Sequence, residues 1–266
     1  MIICSPQGGV GNRMQVINSY YKVAKYYNQK LVVIWKISGD LCCSSKKLFN
    51  MPEEVGLFEI RLGGGKTSSL IFKLIRNILR IFPTVDHLDE YNYIDKELDS
   101  EEMTIFSKGI VFCDEVCESL TSSYEFENIC IPNQAVEKEV NNIIGNKTDC
   151  VGIHIRRTDF RIDKPGIVDK YSDLYFETII EEEMKNGTRT IFIACDEADV
   201  KRRLLDKYPN FCISQNITCF ERNQENGIIE GFIDLISLSK CKRIYGTKES
   251  SFSKMAALIG NSEYVI

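Results

Sequence analysis

Short apolar runs alternate along this chain with stretches in which apolar residues recur every three or four positions. Ile2-Ile3-Cys4 is a brief β-rich run that leads into a glycine-rich turn, Pro6 to Asn12. From Arg13 to about Asn28, apolar residues fall at Met14, Ile17, Tyr20, Tyr21, Ala24 and Tyr27. That is the spacing of one helix face. Leu31 to Trp35 is β-rich again, so residues 1–35 predict strand, turn, helix and strand, one βαβ unit. Residues 36–67 follow neither period. Ser68 to Phe82 predicts a second amphipathic helix stopped by Pro83. Asp86 to Glu102 is acidic and reads as a surface loop with some helix. Gly109 to Cys113 predicts a strand. Asn133 is placed to cap a helix running to Ile144, with Gly145 behind it.

The polar segment Asn146 to Asp149 is the best linker in the chain and divides it into domains 1–147 and 148–266. Beyond it the alternation becomes regular. Strands are expected at Val151 to Ile155, Thr190 to Ala194, Phe211 to Ile213, Arg243 to Tyr245 and Tyr264 to Ile266. Helices are expected from Ser172 to about Asn186, Ala198 to Lys207, Gly227 to Leu238 and Ser251 to Ile259. Strand–helix alternation of this kind implies a parallel sheet covered on both faces.

Composition narrows the classes of function. The chain has 266 residues, 44% hydrophobic and 27% charged, which excludes a disordered scaffold. Lys and Arg number 33 against 38 Asp and Glu, a net charge of −5, so the chain is a poor general nucleic-acid binder. Phosphate chemistry here must use local basic groups. There are 11 cysteines but no C-x-x-C pair, which argues against a structural zinc. Several lie inside apolar runs and are expected to be buried thiols in a reducing compartment. The start, MIICSPQGG, has no basic segment before an apolar one. No run reaches the ~18 apolar residues of a membrane span. Together these point to a cytoplasmic protein, and the N-x-T triplets at Asn146, Asn186 and Asn216 read as chance.

Four motifs carry the candidate chemistry. Gly8-Gly9-Val10-Gly11-Asn12-Arg13 follows a strand and opens a helix, where backbone can approach an anion closely. It is not a clean G-x-G-x-x-G, and Trp35 and Lys36 stand where a ribose-binding acid would be, so a nicotinamide dinucleotide fits poorly. Gly63 to Thr67 ends like a P-loop, but Ile60 occupies the position of its first glycine. Val151 to Asp159 reads VGIHIRRTD. Alternation puts Val151, Ile153 and Ile155 on one face and Gly152, His154 and Arg156 on the other. His154 and Arg156 then point together at the carboxyl end of a parallel strand, where open α/β sheets bind ligands. A guanidinium suits bidentate contact with a diphosphate, and Asp159 can orient it. Thr247 to Ser253 places hydroxyls at a helix start, where they cap it or hold a phosphate. Asp234, in the preceding helix, reads either as a solvated charge or as a partner for a base edge. No D-x-D pair is present to hold a divalent metal, and the arginines can neutralise a diphosphate without one.

In combination GGVGNRM, HIRRTD and SSFSKMA resemble the GDP-fucose-dependent fucosyltransferases that make α-1,2, α-1,6 and protein O-fucose linkages. SSFSKMAALIG is most similar to the bacterial α-1,2 branch, whereas Arg13 replaces that branch's usual glutamine. The resemblance implies a GT-B architecture of two Rossmann-like domains and an inverting transfer that requires no metal cofactor. It implies that His154, Arg156 and Arg157 contact the GDP of the donor GDP-fucose, that Asp234 meets the guanine, and that Ser250, Ser251 and Ser253 line the phosphate. Gly9, Gly11 and Asn12 would approach from the acceptor-side domain, 1–147. Asp159 would orient the arginine pair, and Asp163 is the candidate base that activates the acceptor hydroxyl. The acceptor would be a glycan, free or lipid-linked, in surface polysaccharide synthesis. Lys73, Arg76 and Arg80 share one face of the 68–82 helix, which suits either a packing helix or contact with the inner membrane surface. Two other readings stay open: another Rossmann-type nucleotide or NAD(P)-dependent enzyme, and a non-catalytic nucleotide- or glycan-binding module.

Overall fold

A computed structural model describes residues 2–26, 28–39, 41–61, 111–113, 126, 129–145, 147, 149–216, 218–219, 221 and 223–266. The helix expected at 68–82, the Gly63 to Thr67 run and the acidic stretch containing His87 lie outside the described residues. The chain divides into two compact units, Met1–Asn133 with Arg222–Ile228, and Gln134–Glu221 with Ile229–Ile266.

In the first unit β1 (Ile2–Cys4), α1 (Val10–Tyr26) and β2 (Leu31–Ile37) form the expected βαβ unit. With β4 (Gly56–Arg61) and β5 (Val111–Cys113) they give a sheet of order β4-β2-β1-β5. All its pairings are parallel, with Ile2 opposite both Leu31 and Val111. β1 and β2 are buried along their whole length, which is why Ile2–Cys4 and Leu31–Trp35 read as apolar runs. Helix α1 starts at Val10, earlier than the periodicity, because a glycine turn and not an apolar residue sets its beginning. Gly8 takes φ +77, and the Arg13 amide already donates to the Gly9 carbonyl at 3.1 Å. The stretch after β2 has no period because polar bonds order it. The Glu59 carboxylate accepts from the Ser44 hydroxyl at 2.9 Å and the Ser45 amide at 2.6 Å, fastening the turn Ser45–Lys47 to β4. β3 (Phe49–Asn50) then pairs antiparallel with β6 (Ile131–Pro132).

The second unit begins with α2 (Gln134–Ile143), which ends before Gly145 at φ +54. Its sheet comprises β7 (Cys150–Ile155), β8 (Thr190–Cys195), β9 (Cys212–Ile213), β10 (Arg243–Tyr245) and β11 (Glu263–Val265). The order is β11-β10-β7-β8-β9, parallel throughout. Between β7 and β8 lie α3 (Phe160–Asp163), α4 (Pro165–Lys170) and α5 (Asp173–Lys185). The short α3 and α4 carry no apolar period and were not legible in the sequence. Ser172 caps α5, its hydroxyl accepting from the Tyr175 amide at 3.3 Å. α6 (Ala198–Lys207) follows β8, α7 (Glu225–Ser239) precedes β10, and α8 (Ser251–Gly260) precedes β11.

Both faces of this sheet are covered. Ile153 and Ile155 pack against Phe176, Ile179 and Ile180 of α5 and share a cluster with Val200 and Leu204 of α6. On the other face a Cβ at Gly152 would lie 2.8 Å from Leu238 of α7, so glycine sets how closely that helix approaches. The far end of α8 meets the end of α7 even more tightly, since a Cβ at Gly260 would collide with the Ser239 carbonyl. A backbone oxygen cannot swing aside, so Gly260→Ala is expected to cost about 1–3 kcal/mol, as overpacking does. The measurement is a urea titration. A lower midpoint at unchanged slope is expected, and an unchanged midpoint would contradict this packing.

Candidate functional site

The strand order of the second unit locates its site. From β7 the chain runs outward through β8 to β9, then returns across the sheet to β10 and β11 on the other side of β7. The carboxyl ends of β7 and β10 therefore flank a switch in winding direction, the place where such sheets leave room for a ligand. Ile153 lies opposite Tyr245, and Ile155 opposite Cys195. Arg156 thus leaves β7 between Asp196, the first residue after β8, and Thr247, the second after β10.

Thr247 is fully buried and ties the two strand ends together. Its hydroxyl accepts from the Arg156 amide at 3.1 Å and donates to the His154 carbonyl at 3.0 Å. The Arg156 guanidinium sits 2.5 Å from Asp159 and 3.5 Å from Asp196, with Phe160 beneath it at 5.7 Å. Asp196 also caps the turn that follows, accepting from the Arg157 amide at 2.9 Å, the Thr158 amide at 3.3 Å and the Thr158 hydroxyl at 2.8 Å. Burial pushes the Asp196 carboxyl upward, and Arg156 with these hydrogen bonds opposes the shift. The Arg156 side chain is thereby held from two sides while several of its five N–H donors stay available.

The neighbouring arginine is placed differently. Arg157 turns inward, pairing with Asp173 and donating to the Tyr171 carbonyl at 3.0 Å, with Glu197 at 3.9 Å. It fastens the entry of α5, so the arginines that are adjacent in sequence part company in space. Asp159 pairs with Arg156. Asp163 ends α3 and is exposed.

His154 is 4% exposed, stacks on Phe252 at 4.8 Å, and its Nδ1 finds no partner among the described residues. Burial, with the nearby Arg156 charge, holds it down at about 3, so the ring is neutral. Ser250 precedes α8 in an extended conformation, and its hydroxyl makes no capping bond. The first amides of α8 therefore form a positive helix end that opens three residues beyond Thr247, the residue that holds the Arg156 amide. Ser251 is half-buried, whereas Ser253 is fully buried and its hydroxyl bonds Tyr264 at 3.1 Å. Gly246 allows this packing, since a Cβ there would come within 2.5 Å of Tyr264. Glu249 takes φ +62, a left-handed conformation costly for a residue with a side chain, and pairs with Lys164 at 2.7 Å.

Asp234, which the sequence allowed as a solvated charge, is instead 4% exposed inside α7. Burial pushes its carboxyl up to about 7. Residues 232–239 of its helix are all buried, so a single charge among apolar neighbours gave no sign of this. Asp196 was the functional candidate that sequence reasoning passed over. The signal was the matching of strand ends: HIR and ACD close adjacent parallel strands, and register sets their last residues side by side.

In the first unit, Gly9 has open space where a Cβ would stand, Gly11 is buried in the first turn of α1, and Asn12 is exposed. Arg13 is 1% exposed and does not face solvent. It donates to the carbonyls of Gly8 at 2.8 Å and Lys36 at 2.6 Å, and its guanidinium lies 4.7 Å from the Trp35 ring. The side chain thus braces the glycine loop against the end of β2. Among the described residues, no group of three or more His, Cys, Asp and Glu side chains is arranged to hold a metal ion, and no helix is long and apolar enough to cross a membrane.

No protein-family model matches the chain, and no curated protein matches it in sequence. Solved structures do match its fold. NodZ α-1,6-fucosyltransferase co-crystallised with GDP aligns over 97% of this chain and 92% of its own, at a TM-score of 0.58 and 14% identity. The fucosyltransferase NodZ from Bradyrhizobium gives 0.57 at 15% identity over the same 97% and 92%. POFUT1 in complex with GDP-fucose aligns over 99% of this chain and 97% of its own, at 0.61 and 11% identity. The chain is therefore an α/β protein with parallel sheets that shares its fold with these fucosyltransferases over nearly its full length.

The buried imidazole generates a prediction. The unfolded chain binds a proton at His154 near 6.5 and the folded one only near 3, so this group removes stability as pH falls through that window. The ring resonance assigned by its loss in His154→Gln is expected to stay constant from pH 5 to 8. A titration centred near 6.5 would show that the ring is open to solvent.

Proposed function

We propose that this chain is a glycosyltransferase that moves fucose from GDP-fucose to a hydroxyl of a glycan acceptor. The observation that carries the reading is Arg156, fixed by Asp159 and Asp196 at the winding switch of a Rossmann-ordered sheet and tied through Thr247 to the segment that opens α8. That combination suits the diphosphate of a nucleotide sugar. The likeness in fold to proteins crystallised with GDP and GDP-fucose supports the same donor.

The chemistry follows from charge. Breaking the sugar–phosphate bond leaves a cation-like sugar and adds negative charge to the departing diphosphate. A guanidinium and helix amides already in position stabilise that charge without reorganising, at roughly 3–4 kcal/mol for each well-placed donor. Arg156 is the group in contact with the diphosphate, and Ser250 and Ser251 line the phosphate with the α8 amides. Ser253 supports them from the interior. Arg157 acts through position, holding the turn in which Arg156 sits. His154, neutral and with a free Nδ1, offers one hydrogen bond to the nucleotide, and Asp234 serves the guanine. With this guanidinium and the helix amides in place no divalent metal is needed. Transfer with inversion puts the acceptor hydroxyl on the far face of the sugar, activated by a carboxylate, for which exposed Asp163 is the candidate.

A GT-B division of labour fits this scheme, with the second unit as donor domain and the first as acceptor domain. Gly9, Gly11 and Asn12 are its contacts to the donor's diphosphate or sugar. The acceptor is a surface polysaccharide or its lipid-linked precursor, and Lys73, Arg76 and Arg80 give the enzyme a peripheral hold on the inner membrane surface.

Arg156→Ala is expected to lower kcat/KM for fucose transfer at least 100-fold, with GDP-induced stabilisation also reduced. Near-normal transfer in that variant would refute the role given to Arg156. Chelator should leave the rate unchanged. In a thermal-shift panel GDP and GDP-fucose should raise the melting temperature more than UDP-sugars or NAD. Stabilisation by NAD alone would point to a dinucleotide enzyme, and GDP binding without turnover on any acceptor to a binding module. Neutralising Lys73, Arg76 and Arg80 should reduce binding to anionic vesicles, and no vesicle binding by the intact protein would remove the membrane contact.

A further inference from the structure

At the end of the second sheet away from Arg156, two thiols lie against each other. Cys150 is the first residue of β7, and Cys241 is the second residue after α7. Their sulfurs are 3.6 Å apart, although the residues are 91 positions apart in the chain. Cys150 is 0% and Cys241 2% exposed, and neither is bonded to another cysteine. Backbone bonds fix both. The Lys242 amide donates to the Cys150 carbonyl at 2.9 Å, and the Ser262 hydroxyl donates to the Cys241 carbonyl at 2.6 Å. Strand alternation puts Cys150 on the same face of β7 as Gly152. Cys241 lies over that glycine, since a Cβ there would come 3.2 Å from its sulfur and 3.4 Å from its Cβ. The side chain that Gly152 lacks is thus the space the Cys241 thiol uses to reach Cys150. The Cys241 S–H donates to the Cys150 sulfur, which lowers the Cys150 thiol and raises that of Cys241. Asp149 and Lys242, the chain neighbours of the two cysteines, are half-exposed, so one residue separates each thiol from solvent.

We propose that Cys150 and Cys241 form a redox-modification site, joined by a peroxide into a disulfide that pins β7 to the end of α7. The Cys150 thiolate attacks the O–O bond of hydrogen peroxide. One oxygen leaves as water, and Cys150 becomes a sulfenic acid. The Cys241 sulfur then attacks the Cys150 sulfur, the S–O bond breaks, and the second oxygen leaves as water with the Cys241 proton. The two thiols give up two electrons and two protons, and one peroxide takes them. An S–S bond is about 2.05 Å long, so the sulfurs must close by roughly 1.5 Å. Because the second thiol is already in contact, it captures the sulfenic acid before the irreversible sulfinic stage. In a reducing compartment the pair rests as two thiols. Oxidation closes a loop that holds β8 and β9, and a closed loop of that length stabilises by restricting the unfolded chain. The proposal stands independently of the GDP-sugar reading.

The test exposes the folded, reduced protein to hydrogen peroxide, blocks the remaining thiols with iodoacetamide in urea, and maps the peptides by mass spectrometry. The expected product is a pair of peptides joined through Cys150 and Cys241, lighter than their sum by two hydrogens and separated by dithiothreitol. The oxidised protein should melt roughly 5–15 °C higher than the reduced one, and dithiothreitol should return it to the starting midpoint. In Cys241→Ala the same treatment should leave Cys150 unbridged and the melting temperature no higher. Recovery of both cysteines as alkylated thiols, or their pairing with other cysteines, overturns the proposal without any variant. So does a bridge that forms only when peroxide is added in urea, or one that leaves the melting temperature unmoved.

Discussion

The end of β7 is held by parallel register. Because Ile155 pairs with Cys195 and Ile153 with Tyr245, the residues that leave these three strands meet without any loop having to find another. Thr247 reaches back to both the amide of Arg156 and the carbonyl of His154, and Asp196 accepts the next two amides. Every backbone group at the strand terminus named here is thereby satisfied inside the protein. That accounting is what allows an arginine to stand there with its direction fixed. A guanidinium positioned before its ligand arrives costs little to use, and the proposed chemistry depends on that preorganisation.

Desolvation does the rest of the electrostatic work. His154, Asp234 and Lys201 are each nearly removed from water, and each is displaced toward its neutral form. Arg157 shows the opposite case. It is as buried as these groups but paired with Asp173 and the Tyr171 carbonyl, so its charge is compensated and its role is to hold α5 in place. Arginines adjacent in sequence thus have different tasks because one has interior partners and the other faces a strand end.

The first unit uses a buried arginine in a third way. Arg13 spends its donors on the Gly8 and Lys36 carbonyls and rests on Trp35, so the glycine loop and the end of β2 move as one piece. The glutamine that the resemblance leads one to expect here would not give the ring a cation.

Much of the fold was legible in the sequence because burial leaves a period. β8 is covered on both faces and reads as an apolar run, and β7 reads as one interrupted by His154, while the amphipathic stripes of α5 and α6 marked them within a residue or two. Gly8 could be assigned to a turn, and the clustering of HIRRTD at a strand end followed from alternation alone. The turn at Ser45–Lys47 and the short α3 and α4 were not legible, since side-chain hydrogen bonds and the packing of neighbouring elements order them. The sequence could not say which arginine turns inward, that Asp196 meets Arg156, or that Asp234 and Lys201 share the interior. Local pattern records how often a residue is buried along its own element. The partner of a charge is set by strand register and by helices far apart in the chain, and only the tertiary structure brings those together.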